Sequence, residues 1–407
     1  MKVSKEVLQS FAKAGGLLPQ EEMLEVTRSR GAMYIGIPKE TSHEENRVSL
    51  TPDAVAMLTA NGHQVLVETG AGLNANFKDK DYSESGAKIA YSPEEVFKAD
   101  IIIKVAPPSE SEIQLLRKKQ TIFSALQLTV QHHDFLRQIM EKKVTAIAYD
   151  YIKDEDGMYP IVRSMGEISG STSILIAGEL LSNANKGNGT MLGGISGVAP
   201  TEVVVLGAGI TGESAAKAAI GLGSSVKVFD NSITRLRGLQ KSIGHGVWTS
   251  TIQPDDLERA LKNADVAIGA LRALEGRAPL VVSEEMVNHM KEGSVIVDIS
   301  IDQGGCFETS KVTSHSKPTF KKNGVTHYCV PNIPSRVSRT ASYALSNIMS
   351  EIILRTGDEA GVENLLRVDQ GLRNGVYVYN GILTNKFLGD AFEIPYKNIE
   401  LLMAVIS

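Results

Sequence analysis

Residues Val203-Val204-Val205-Leu206 run directly into Gly207-Ala208-Gly209-Ile210-Thr211-Gly212, and no other stretch restricts the possible folds as much. Four apolar residues, three of them β-branched, predict a strand buried on both faces of a parallel sheet. The glycines fall as G-x-G-x-x-G, and the alanine-rich run from Glu213 to Leu222 is apolar at helical spacing. In such a turn Gly207 permits the sharp bend, Gly209 lets the backbone approach a pyrophosphate, and Gly212 lets the helix pack close to the strand. The unpaired N–H groups of the helix start favour phosphate. A second strand, Ser225–Phe229, ends at Asp230, eighteen residues after Gly212. An acid there accepts from the ribose 2′-hydroxyl of NAD and repels the extra phosphate of NADP. An ordinary strand–helix turn is the competing reading. The strand before, the helix after and the spaced acid together predict NAD binding by Gly207, Ala208, Gly209, Ile210, Gly212 and Asp230.

A chain of 407 residues is long for one core, and two domains are expected. Its net charge of −5 argues against a nucleic-acid surface. Basic runs such as Arg117-Lys118-Lys119 are short and read as solvated faces. No apolar run reaches the roughly 18 residues of a membrane span, and no membrane insertion is expected. The N-terminus lacks the apolar core of a secretion signal. Cys306 and Cys329 have no metal-ligand or disulfide spacing, so no metal is predicted and both thiols read as small core residues. A cytoplasmic protein is the expectation.

Residues 1–32 read as an extension with a short amphipathic helix ended by Gly15-Gly16. Strands are then expected at Tyr34–Ile37, Gln64–Glu68, Ile101–Val105, Thr121–Ala125 and Val144–Tyr149. Helices are expected between them, one starting at Pro52. This alternation predicts an α/β domain with a mostly parallel sheet. A helix over Met165–Leu181 crosses to the nucleotide domain, whose further strands are Asp265–Ala270 and Ser294–Asp298. Ligands lie outside the carboxyl ends of parallel strands, so Ala270, Leu271 and the Ser300–Gly305 turn should face the cofactor. A helix from Ser338 to about Leu354 returns the chain, and Asn380-Gly381 signals a hairpin over Val376–Leu383. The predicted fold is α/β with two Rossmann-like domains. A substrate domain of residues 33–164 and 340–407 is interrupted by an NAD-binding domain of residues 165–339.

Four stretches carry a family resemblance: IGIPKETSHEENRVSLTP (35–52), MLGGISGVAPTEVVVLGAGITG (191–212), VIVDISIDQGGCF (295–307) and YCVPNIPSRV (328–337). Through them the chain resembles alanine dehydrogenase and the homologous soluble, nucleotide-binding part of proton-translocating nicotinamide nucleotide transhydrogenase. DQGGC is similar to the dehydrogenase branch, and Pro334-Ser335-Arg336-Val337 is closer to the transhydrogenase branch. The resemblance implies that Arg47 binds the carboxylate of an amino or oxo acid, a task suited to a planar guanidinium. A surface ion pair with Glu44 or Glu45 is the alternative. It also implies that Asp302 approaches the nicotinamide, with strand-closing Asp298 as competitor. Asn332, Ile333 and Pro334 would pack near the nicotinamide, or simply form a turn. A homo-oligomer, dimer or hexamer, is implied as well.

Two positions depart from the family pattern. Its substrate-holding lysine falls at Ala106 in Lys104-Val105-Ala106-Pro107-Pro108, and its acid–base histidine falls at Gln127 in Gln127-Leu128. Amino acid oxidation needs a group that accepts and returns protons. Lys104 lies two residues before Ala106 on the same strand face, about 6.6 Å away, and is a catalytic candidate; a separate role in the family strand competes with it. His132 and His133 read as surface caps. The resemblance implies an NAD-dependent alanine dehydrogenase converting L-alanine, NAD and water to pyruvate, ammonium and NADH. The alternative is an NAD(H)-binding protein, transhydrogenase-like or regulatory, that has lost this chemistry.

Overall fold

The computed structural model describes residues 31–126, 133–244, 246–273 and 276–405. The helix expected before Gly15-Gly16 lies outside the described residues. The chain divides into two compact units, the first reaching Val162 and resuming at Ser338, the second Arg163–Val337.

In chain order the first unit contributes β1 (Tyr34–Ile37), α1 (Pro52–Ala60), β2 (Gln64–Glu68), β3 (Lys88–Ala90), β4 (Ile101–Ile103), α2 (Glu110–Leu115), β5 (Thr121–Ser124) and β6 (Thr145–Ala148). Helix α3 (Pro160–Leu181) leads into the second unit: β7 (Glu202–Leu206), α4 (Ile210–Gly221), β8 (Ser225–Phe229), β9 (Trp248–Ser250), β10 (Val266–Gly269), β11 (Val295–Asp298), β12 (Thr319–Lys322) and β13 (Val325–Tyr328). Helix α5 (Ser338–Asp358), β14 (Val376–Tyr379) and β15 (Ile382–Leu383) return to the first unit, with short helices between and after them.

The first sheet runs β15-β14-β6-β5-β4-β1-β2-β3, and only β14 runs against the rest. Every residue of β4, β5 and β6 is buried, as expected of parallel strands covered on both faces. The second sheet runs β12-β13-β11-β10-β7-β8-β9, with only β12 antiparallel. Along β7 the side chains alternate between two cores. Val203 and Val205 pack with Ile174, Ala177, Ala215 and Ala219 of α3 and α4, whereas Val204 and Leu206 pack with Leu257 and Leu261 on the other face.

Asn380 and Gly381 both take positive φ, 48° and 84°, joining β14 to β15 by the tight turn that their types predict. The strands expected to reach Val105, Ala125 and Tyr149 stop at Ile103, Ser124 and Ala148. Past Lys104 the Val105 and Ala106 amides turn to the Glu40 carboxylate, and Tyr149 opens a short 3-10 turn. The edge strands β3 and β9 hold three residues each, too few for a period-2 signal.

Burial perturbs one histidine of this framework. His327 of β13 is fully buried, its Nδ1 3.1 Å from the Val325 carbonyl and its Nε2 2.8 Å from the Thr309 hydroxyl. A neutral ring satisfies both partners, donating from Nδ1 and accepting at Nε2. Burial holds its pKa below the ordinary 6.5. The unfolded chain therefore takes up a proton that the fold refuses, and stability present above pH 6.5 is lost as the pH falls toward the folded value. The stability of the wild type minus that of His327→Gln should decline below pH 6.5, by at most about 1.4 kcal/mol per pH unit. Urea midpoints measure it; parallel pH profiles would show that the ring is not held neutral.

Candidate active site

In the second unit β7 lies between β8 and β10, so successive crossovers leave it in opposite directions. The turns after β7 and β10 meet at this switch point, where open α/β sheets bind ligands. Gly207 has φ of 113°, and a Cβ there would lie 2.4 Å from the Ala270 carbonyl oxygen. A Cβ on Gly212 would lie 1.9 Å from the Gly207 oxygen. At Gly209 a Cβ would meet nothing within 4 Å. This open space faces the N-terminus of α4 and suits a pyrophosphate, so the turn fits a dinucleotide.

Asp230 stands at the end of β8. Its carboxylate accepts from the Ala208 amide at 2.8 Å, the Ser232 amide at 2.7 Å, and Arg235 Nε and Nη2 at 2.9 and 2.8 Å. Burial opposes its charge, but the Arg235 and amide bonds outweigh that and hold the carboxyl below the usual range. The acid is thus tied to the glycine turn itself, with a cation beside it that the sequence reading did not include.

Asp298, which ends β11, and Asp302 beyond it separate cleanly. Asp298 is fully buried, accepting from the Cys306 amide and the Ser310 hydroxyl, and so braces its own turn. Asp302 is exposed, and its Oδ1 accepts from the Asn332 amide at 3.0 Å, which brings two of the expected site residues together. Leu271 and Ile333 turn their side chains into the unit's cores, 9% and 2% exposed, where apolar groups gain from packing. Pro334 is likewise buried, in the 3-10 turn Ile333–Val337.

The first unit has its own switch point, at β1 between β2 and β4. Here the segment after β1 meets the segment after β4. Arg47 is buried, and its Nε and Nη2 bind both oxygens of buried Glu45 at 2.7 and 2.6 Å. The Glu45 pairing weighed from sequence therefore exists, as a buried fork rather than a surface contact. Burial alone would lower the Arg47 pKa; Glu45 outweighs it and secures the charge.

Lys104 is paired as well. Its side chain is fully buried, with Nζ 2.7 Å from Glu112 Oε1 and 3.3 Å from Glu40 Oε2. Burial works against this ammonium, but the two carboxylates raise its pKa above the ordinary value. This setting suits a structural cation better than a proton carrier. Glu40 in turn accepts from the Val105 and Ala106 amides, at 2.6 and 3.2 Å, and Tyr149 donates to the Val105 carbonyl at 2.5 Å. Burial raises the Glu40 pKa despite Lys104 and these amides. Glu112 also accepts from the Ser109 amide, capping α2. Ala106 is buried in this network. Gln127 and His132 lie outside the described residues. His133 is partly exposed beside Asp134. Among the described residues no cluster of His, Cys, Asp and Glu could hold a metal.

A family described as Alanine dehydrogenase/PNT, N-terminal domain, matches residues 36–169, and its C-terminal domain counterpart matches residues 173–386. The chain belongs to the alanine dehydrogenase/PNT family. Proteins of this family named alanine dehydrogenase, from Staphylococcus epidermidis, and alanine dehydrogenase 2, from Staphylococcus aureus, are each 40% identical over 369 residues, covering 90% of this chain and 99% of theirs. A solved L-alanine dehydrogenase superposes with a TM-score of 0.83 at 36% identity, over 89% of this chain and 99% of that one. A transhydrogenase from Sinorhizobium meliloti, at 0.75 and 21% identity over 87% and 99%, shares the fold.

Glu40, Glu112, Tyr149 and Arg235 escaped the sequence reading. For Glu40 a signal existed, a charged residue just after a strand end, but nothing in spacing alone says that it shares one lysine with Glu112. Two variants test the assignments. Lys104→Met would leave Glu40 and Glu112 buried without their cation and should cost roughly 3–5 kcal/mol in chemical denaturation; unchanged stability with lost turnover would return Lys104 to catalysis. Asp230→Ala should weaken NADH binding by ~1–3 kcal/mol in calorimetry, and wild-type preference for NADPH would remove Asp230 from ribose selection.

Proposed function

We propose that this protein is an NAD-dependent amino acid dehydrogenase of the alanine dehydrogenase type, converting L-alanine, NAD and water to pyruvate, ammonium, NADH and a proton. The observation that carries the reading is the nucleotide turn, with Asp230 bonded to the Ala208 amide beside the open space at Gly209. Membership of the family and the full-length likeness to alanine dehydrogenases support the amino acid half. NAD supplies, when bound, the acceptor for hydride from the amino acid α-carbon. Gly207, Ala208, Gly209, Ile210 and Gly212 would receive its pyrophosphate, and Asp230 its ribose. The main chain at Ala270, Leu271 and Asn332–Pro334, with Asp302, would face the nicotinamide end. Arg47 would hold the substrate carboxylate by the charge that Glu45 stabilises. Location in the cytoplasm and assembly as a homo-oligomer belong to the same proposal. For self-association, Leu175, Met191 and Leu222 support it, each about half exposed around one surface depression of the second unit. Among the described residues no helix is long and apolar enough to cross a membrane.

One observation favours the second reading, an NAD(H)-binding protein without amino acid turnover. Ala106 can neither charge nor hydrogen-bond through its side chain, and Lys104 is committed to Glu40 and Glu112. General acid–base groups contribute about 10²–10⁴-fold, so wild-type alanine oxidation should be slow. NADH oxidation with pyruvate and ammonium, followed by absorbance, decides between the readings. Binding of NADH with no turnover supports the second. If the family pocket persists, Ala106→Lys with Gln127→His should raise turnover where either alone does little, since such groups act as a unit. Arg47→Lys keeps the charge and loses the fork. It should raise the KM for pyruvate while leaving NADH affinity unchanged; an unaltered KM removes Arg47 from the substrate site.

A further inference from the structure

The segment that carries Arg47 has no regular structure before α1 begins, yet residues 47–51 are all buried. Main-chain polar groups removed from water need partners, and a loop without strand or helix must find them in side chains. The partners here come from across the unit. Helix α5 carries Ser338, Ser342, Ser346 and Ser350 at four-residue spacing, all buried, so they form one stripe down the helix. Ser342 Oγ accepts from the Val48 amide at 2.9 Å. Ser346 Oγ accepts from the Thr51 amide at 2.9 Å and lies 3.1 Å from the Thr51 hydroxyl. The outer two serines do other work: Ser338 donates to the Asn74 carbonyl and Ser350 to its own helix at Asn347.

Two polar tethers thus join the Val48 and Thr51 amides to α5, and one of them is on the residue next to Arg47. Ser49 and Leu50, between them, are held elsewhere. The Ser49 hydroxyl donates to the Ile103 carbonyl at the end of β4, and Tyr82 donates to the Leu50 carbonyl. The segment is thus pinned at successive residues, with Ser342 and Ser346 fixing its distance from the helix. A guanidinium discriminates a carboxylate by direction as well as charge, and its direction here starts from the main chain at residues 47 and 48.

We infer that Ser342 and Ser346 are positioning residues that set the register of the Arg47 segment through the Val48 and Thr51 amides. The inference rests on the reading of Arg47 as the carboxylate anchor, and its test has one arm independent of that reading. Ser342→Ala keeps the helix and removes the acceptor. Hydrogen exchange should show the Val48 amide opening on the order of tenfold faster, with β1 and β4 unchanged, as local release without global loss. Unchanged Val48 protection overturns the tether, whatever the protein catalyses. In turnover with pyruvate, ammonium and NADH, the variant should raise the KM for pyruvate about tenfold, with kcat within about twofold and NADH affinity intact, a factor equivalent to one lost hydrogen bond. Ser342→Thr keeps the hydroxyl and should restore the KM. In an Arg47→Lys background Ser342→Ala should add little, because the two changes act through one contact. A parallel fall in kcat, NADH affinity and melting temperature would mean that the serines serve the fold alone. A wild type that turns over no pyruvate would remove the amino acid reading, and Val48 exchange would still decide the tether.

Discussion

The ammonium of Lys104 has no contact with water, and the switch point of the first unit depends on how its charge is balanced. Moving a single cation into a protein interior costs several kcal/mol, and the cost is met here by two carboxylates from different segments. Glu40 comes from the loop after β1 and Glu112 from the first turn of α2. Each carboxylate also accepts main-chain amides, Glu40 those of Val105 and Ala106, Glu112 that of Ser109. One buried charge therefore orders the chain on both sides of Ala106.

The same economy of parts appears in the second unit. Asp230, just past β8, is the acceptor that holds the Ala208 amide, so one side chain ties the second strand to the shape of the glycine turn. Asp302 and Asn332 join two turns after neighbouring strands in the same way. In both units the polar groups gather where neighbouring crossovers part, because there the strand ends leave main-chain groups that no helix covers.

What could be read from sequence follows from how local its cause is. The apolar run at 203–206 and the glycines after it depend on adjacent residues, and the strand, turn and helix are found there. Asn380-Gly381 announced its hairpin for the same reason. Residues whose partners lie far along the chain were harder. The stripe of serines on α5 is visible as a four-residue spacing, but its partners lie almost three hundred positions earlier. Lys104 looked available beside Ala106, since strand periodicity reports a face and says nothing about the two carboxylates waiting there. At Leu271 and Ile333 the side chains turn into the core, which the position of a residue in a turn does not foretell.

The chain order of the first sheet has a consequence for synthesis. Strand β6 pairs along one edge with β5, already made, and along the other with β14, which begins only at Val376. A ribosome adding about 5–20 residues per second needs on the order of 10–50 s to travel from Ala148 to Val376. During that interval β6 is an edge strand whose residues belong in an interior, the kind of edge that invites pairing with another chain. The whole second unit is translated meanwhile and can fold from its own contiguous sequence. Helix α5, which holds the Arg47 segment, also arrives late. The nascent protein thus completes its nucleotide-binding unit first, and assembles the segment around Arg47 only when the last fifth of the chain emerges.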